Sequence, residues 1–178
     1  RVSSSAASDV YKRQSLASGA IDAAEWICPV ADLGLGMHQA AKFYYGPGWH
    51  EPSTLLDLSI DLKEWEGLDA DTQALMMEMA KAFNVDVFSR FQALNGPALG
   101  KLLNEHGVQL KTFPDELLIA LGNAAGEVME ERGSIDSQTK AICNHILSFR
   151  KNIMDWSTKG ESEFARIRNL PFKFPDSV

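Results

Sequence analysis

Apolar residues recur at helical spacing through the second half of the chain and alternate with polar ones only in short stretches, a pattern that predicts long helices joined by few, short strands. Between Ala70 and Leu94 the positions Leu75, Met79, Ala82, Phe83 and Val87 share one face, which predicts the longest helix, with Asp69 as its N-cap. Asn95-Gly96-Pro97 predicts a kink or an end there, because proline lacks a donor and restricts the residue before it. Ala98 to His106 resumes the helix and Gly107 stops it, after which Val108, Leu110 and Thr112 alternate as a short strand. Pro114 suits a first helical position, with Asp115 and Glu116 at the positive end of the dipole and Leu117, Leu118, Leu121, Ala125, Val128 and Met129 as the stripe. Arg132-Gly133 closes that helix. A last helix follows Asp136, its stripe running Ile142, Ile146, Phe149, Ile153, Trp156, a spacing fit either for packing onto the same chain or for a homodimer seam.

The first part of the chain is less regular. Leu16 to Gly19 reads as a helix end with a glycine stop, and Ile21 to Trp26 as a strand halted by Cys28-Pro29. Asp32 precedes a helix over 33–43 that carries Leu33, Met37, Ala40 and Ala41 on one face. Gly46-Pro47-Gly48 breaks the periodicity and delivers Trp49, His50 and Glu51 on a loop or strand entry. Leu56, Leu58 and Ile60 predict another strand, Lys63 to Gly67 a single helical turn, and the segment beyond Gly160 a weakly ordered tail over 161–178. Residues 1–14 have no apolar core of the kind a signal peptide carries; they read as a non-native or disordered lead-in, similar to flanks at the ends of translated environmental fragments.

Composition narrows the class. With 178 residues, 45% hydrophobic, 23% charged and a net charge of −7, the chain has the make-up of one globular domain, and its acidity argues against nucleic acid or an anionic membrane as partner. No apolar run approaches the length of a membrane span. Two cysteines far apart, without a C-x-x-C, indicate neither a metal knuckle nor a disulfide framework, and no H-x-x-x-H pair indicates zinc.

The candidate chemistry lies between Ile21 and Glu51, where a carboxylate beside an aromatic occurs twice, at Glu25-Trp26 and Trp49-His50-Glu51. Such pairs can line a pocket that holds a small polar ligand against an apolar wall. The order D-A-A-E-W, P-x-x-D-L-x-L-G-x-H-x-A-A-K-x-Y-Y and P-G-W-H-E-P resembles the solute-binding protein of tripartite ATP-independent periplasmic (TRAP) transporters, in the branch that binds 2-oxo and 2-hydroxy carboxylates. The resemblance covers most of residues 15–156. It implies an α/β fold, the helix-rich C-terminal part of a two-lobe, type II-like binding protein over residues 15–160, periplasmic in its intact form, handing a small organic acid to membrane permease subunits.

It also implies site roles. Glu25 would give carboxylate oxygen and Trp26 its backbone carbonyl to a sodium or calcium ion bridging to the ligand, while Glu51 would meet the keto or hydroxyl end and Trp49 would shape the wall. The physical logic holds independently, since an anion in an apolar cleft is costly unless a cation offsets it, and oxygen donors suit hard ions. The arginine that clamps the ligand carboxylate in the resembled family, and the amide that completes its cation shell, belong to parts of the family not matched here. No nucleophile elbow, P-loop or dinucleotide fingerprint is present. Two other readings stay open: a Glu25/Glu51 carboxylate pair for glycoside hydrolysis, and a helical interaction module built on the Ile142 to Trp156 stripe.

Overall fold

The computed structural model describes residues 9–49 and 57–174. It divides into two compact units, Arg1–Phe113 and Pro114–Val178. The first contains α1 (Asp9–Ala17), α2 (Pro29–Leu35), a 3-10 turn (Met37–Gln39), β1 (Phe43–Gly46), α3 (Leu62–Glu66), α4 (Ala70–Asn104) and β2 (Gln109–Thr112). The second contains α5 (Asp115–Gly133), α6 (Ser137–Ser157), a π turn (Thr158–Ser162) and α7 (Glu163–Arg168).

Several helix ends follow the sequence directly. Asp69 caps α4 by accepting from the Thr72 N–H at 2.9 Å, and Asp136 caps α6 by accepting from the Thr139 N–H at 2.7 Å. Both carboxyls are held below their usual range by these backbone and side-chain hydrogen bonds. Asp61 caps α3, its Oδ1 accepting from the Lys63 and Glu64 N–H groups at 3.0 and 3.3 Å. Gly19 and Gly107 adopt left-handed φ where helix stops are expected, and β2 forms where residues 108–112 alternate.

Other ends depart from expectation. Residues 21–26 do not form a strand: the backbone is irregular, and the Glu25 carbonyl, which a neighbouring strand would engage, accepts from the Lys12 ammonium at 3.0 Å. Pro29 starts a helix, at the position where its missing N–H costs nothing. Asp32 therefore lies inside α2 and does not cap it. The helix expected over 33–43 stops at Leu35, because Gly36 turns left-handed with φ 74° and returns its N–H to Leu33 and Asp32; Phe43 belongs to β1 instead. Residues 57–61 pair with no strand; the remainder of the strand expected around Leu56 lies outside the described residues.

Nor does Pro97 end the long helix. α4 runs unbroken through 35 residues, about 50 Å at the α-helical rise. Asn95, next to that proline, spends its side chain on α2: Oδ1 accepts from the Val30 N–H at 3.1 Å. Cys28, the N-cap of α2, makes no side-chain cap bond, so an amide from α4 supplies the missing acceptor. Residues 9–14 lie in the first turns of α1, and α7 lies within residues 161–174.

In the first unit β1 and β2 pair in parallel, Phe43 opposite Gln109 and Gly46 opposite Thr112, with Tyr45 stacked on Phe113 at 4.9 Å. Ala98 and Leu102 of α4 and the adjacent Val108 are the buried apolar side chains among the described residues. His38, in the 3-10 turn, stacks on His106, just past α4, with ring centroids 4.0 Å apart. Burial first, then the neighbouring imidazole, push the His38 pKa below its ordinary 6.5. A depressed folded-state pKa contributes stability that is present above 6.5 and lost as pH falls. Thermal unfolding of the chain is therefore expected at lower temperature at pH 5 than at pH 7.5, with the gap narrowed in His106→Ala; an unchanged gap would remove the pair as its source.

The second unit is a helical hairpin, α5 against α6, with Gly133 lying against Cys143. Ile142, Ile146, Phe149 and Trp156 of the α6 stripe are exposed.

Candidate functional site

Glu25 and Trp26 sit on the irregular segment between α1 and α2, and three elements converge on them. From α1 comes Lys12, only 8% exposed, whose Nζ donates to Glu25 Oε1 at 3.2 Å as well as to the Glu25 carbonyl. The same ammonium stands 5.3 Å from the centroid of the Trp26 ring, within cation–π range. α2 contributes Asp32, 7% exposed, and β1 contributes Tyr44, whose hydroxyl donates to Asp32 Oδ2.

Asp32 is the most constrained carboxylate of the group. Burial lifts its pKa above the usual range and the nearby Glu25 charge adds to the rise, while the Tyr44 hydroxyl and the Ile27 amide pull it down. Its Oδ1 is buried with no hydrogen-bond partner. Tyr44 is raised well beyond the ordinary range of a phenol, by burial and by the carboxylate it serves. Replacing Tyr44 with Phe would leave both Asp32 oxygens without a side-chain donor, and is expected to cost about 1 to 2 kcal/mol of stability at neutral pH. Because the Asp32 pKa is already raised, that variant should recover stability as pH falls toward the range where the carboxyl protonates. Equal losses at pH 7 and pH 4.5 would contradict this account.

Two carboxylates and an adjacent backbone give hard oxygen donors, and the orphaned Asp32 Oδ1 is an acceptor without a donor. The donor chemistry fits a hard cation, although no cluster of three or more His, Cys, Asp or Glu occurs among the described residues. Of the residues named from sequence, Glu25 and Trp26 are brought together around Lys12. Trp49 follows β1 and is 45% exposed. Glu51 and His50 lie outside the described residues, so the Glu25–Glu51 spacing that a glycosidase reading needs is not defined.

Sequence reasoning missed three members. Lys12 falls in the stretch read as a lead-in, and Asp32 is read only as preceding a helix. Tyr44 takes the inner face of β1 between exposed Phe43 and Tyr45, a placement that the unbroken aromatic run Phe43-Tyr44-Tyr45 does not signal.

The described residues thus place oxygen donors beside an aromatic face, on a helix-rich α/β scaffold with a short parallel strand pair. Residues 2–134 match the bacterial extracellular solute-binding proteins of family 7, and the chain belongs to that family. A monocarboxylate 2-oxoacid-binding periplasmic protein of Nostoc sp. is 36% identical over 146 residues, covering 82% of this chain and 40% of that protein. A TRAP periplasmic solute-binding protein from Colwellia psychrerythraea, solved with bound calcium and pyruvate, matches with a TM-score of 0.80 at 29% identity, over 88% of this chain and 48% of the other. Its counterpart from Pseudoalteromonas atlantica, solved with bound sodium and pyruvate, gives a TM-score of 0.81 at 27% identity, over 97% and 50%. The chain thus spans about half the length of the relatives it matches, and its fold is the helix-rich one of TRAP solute-binding proteins.

Proposed function

We propose that this chain is part of a periplasmic solute-binding subunit that captures a small 2-oxo or 2-hydroxy carboxylate together with a sodium or calcium ion and delivers it to TRAP permease subunits. The observation that carries the reading is that Glu25, next to Trp26, lies near enough to the buried Asp32 to act on it electrostatically, while Asp32 Oδ1 has no hydrogen-bond partner. Glu25 and the Trp26 carbonyl would hold the ion, Trp49 would flank the ligand, and Glu51 would meet its 2-substituent. The ion supplies positive charge that offsets the cost of burying an organic anion in a chain of net charge −7.

The similarity to a 2-oxoacid-binding protein and to two pyruvate-bound structures supports the ligand class. It also favours binding over the glycosidase alternative, for which no measured carboxylate spacing speaks. The exposed α6 stripe fits a homodimer as a second property of the same protein. Capture by such a protein is an equilibrium between open and ligand-closed states and needs no turnover.

The test is calorimetric titration of pyruvate and lactate, each with and without calcium or sodium, into a version extended to the relatives' full length. Binding that requires the cation supports the assignment. Silence toward every 2-substituted acid would discard this ligand class.

A further inference from the structure

The segment that carries Glu25 and Trp26 is joined to α2 by a stretch with little freedom. Only Ile27, Cys28 and Pro29 separate Trp26 from Val30. Pro29 has its φ locked by the ring, and Cys28, as the residue before a proline, is restricted to extended backbone, which it adopts here. Ile27 is the one unrestricted residue between the site and the helix, so Glu25 and Trp26 are carried wherever the first turn of α2 sits. That turn is pinned from outside. The Val30 N–H is one of the donors that a helix start leaves without an internal acceptor, and Cys28 offers no side-chain cap. It donates instead to Asn95 Oδ1 of α4 at 3.1 Å, across 65 positions of sequence. Asparagine is a weaker helix former than alanine, so position 95 contributes through its side chain and not through its propensity.

We propose that Asn95 is a positioning residue for the Glu25–Trp26 segment: its amide oxygen sets where the first turn of α2 lies on α4, and through Cys28-Pro29 where the two site residues stand. The proposal rests on the reading that this segment forms the solute site, and adds what fixes its place. The chemistry asked of position 95 is narrow. An N–H is met only by an acceptor, so aspartate can replace asparagine and an apolar side chain cannot. Alanine and leucine are better helix formers and leave α4 intact while removing the acceptor, and leucine also keeps the bulk. A response of the segment to either therefore reports the lost bond and not a weakened α4.

Amide hydrogen exchange and proton–nitrogen NMR spectra are recorded on the full chain as wild type, Asn95→Asp, Asn95→Ala and Asn95→Leu. The Val30 N–H should be protected in the wild type and exchange about tenfold faster in the alanine and leucine variants, the order expected for loss of one such hydrogen bond. In those two variants the backbone amides of Glu25 and Trp26 and the Trp26 indole signal should shift, while the signals of α5 and α6 stay in place. Asn95→Asp should return both the protection and the wild-type shifts. Glu25 and Trp26 signals unmoved in folded Asn95→Ala or Asn95→Leu would reduce Asn95 to a cap of α2 and overturn the proposal, as would an Asn95→Asp chain that behaves like the alanine variant. If neither apolar variant folds, the other two chains decide: Val30 protection retained in Asn95→Asp supports the proposal, and a Val30 N–H that exchanges like an exposed amide in either chain overturns it. None of these readouts depends on a ligand, so a failed acid titration would remove the solute reading and leave the positioning result standing, and the reverse holds as well.

Discussion

Glu25→Gln is expected to weaken cation-dependent pyruvate binding by about 100-fold or more, the scale of breaking one partner of a desolvated charge pair. The amide keeps the size of the side chain and an acceptor oxygen, so shape is preserved and only the charge is lost. A neutral amide oxygen holds a hard cation more weakly than a carboxylate does, and with less cation bound the ligand carboxylate enters the cleft undercompensated. The substitution also deprives buried Lys12 of its carboxylate, so the unfolding temperature must be measured alongside. A folded variant whose affinity for pyruvate with calcium stays within a few-fold of wild type would remove Glu25 from the site.

Leu102→Ala should be the most costly truncation in the first unit, about 3 kcal/mol by urea unfolding, within the range for emptying a leucine-sized volume. Leu102 is 2% exposed, and its carbonyl accepts from the N–H of Val108, itself buried, so side chain and backbone together seat the turn from α4 into β2. Few apolar side chains share that burden: among the described residues only Ala98 and Val108 are comparably buried. By contrast, Leu75→Ala on the exposed face of the same helix should change stability by less than about 0.5 kcal/mol. Similar losses for the two variants would mean that α4 is not held through Leu102.

The helices were legible where a single residue carries the local physics. Asp69 and Asp136 sit three residues before threonines whose N–H groups they cap, and that signal is complete within four residues. Pro29 carried two meanings, a strand stop or a helix start, and local sequence does not choose between them. Pro97 misled for a related reason: its cost is judged in isolation, whereas in the fold α4 packs along α2 and Asn95 serves that neighbour. The site was legible through Glu25-Trp26. Lys12, Asp32 and Tyr44 depend on how α1, α2 and β1 are placed in the fold, which no local pattern in the sequence signals.

The parallel pairing of β1 with β2 has a consequence for how the chain reaches its native state. Segment 47–108, with all of α4 inside it, must be closed before Phe43 can meet Gln109, and parallel strands have no tight turn to bring them together. The α5–α6 hairpin needs only its short connection over residues 134–136. Non-local contacts form slowly because the entropy of closure precedes their reward. Hairpin order in the second unit should therefore precede strand pairing in the first, so that β1 and β2 gain protection later than α5 and α6 in pulsed hydrogen exchange.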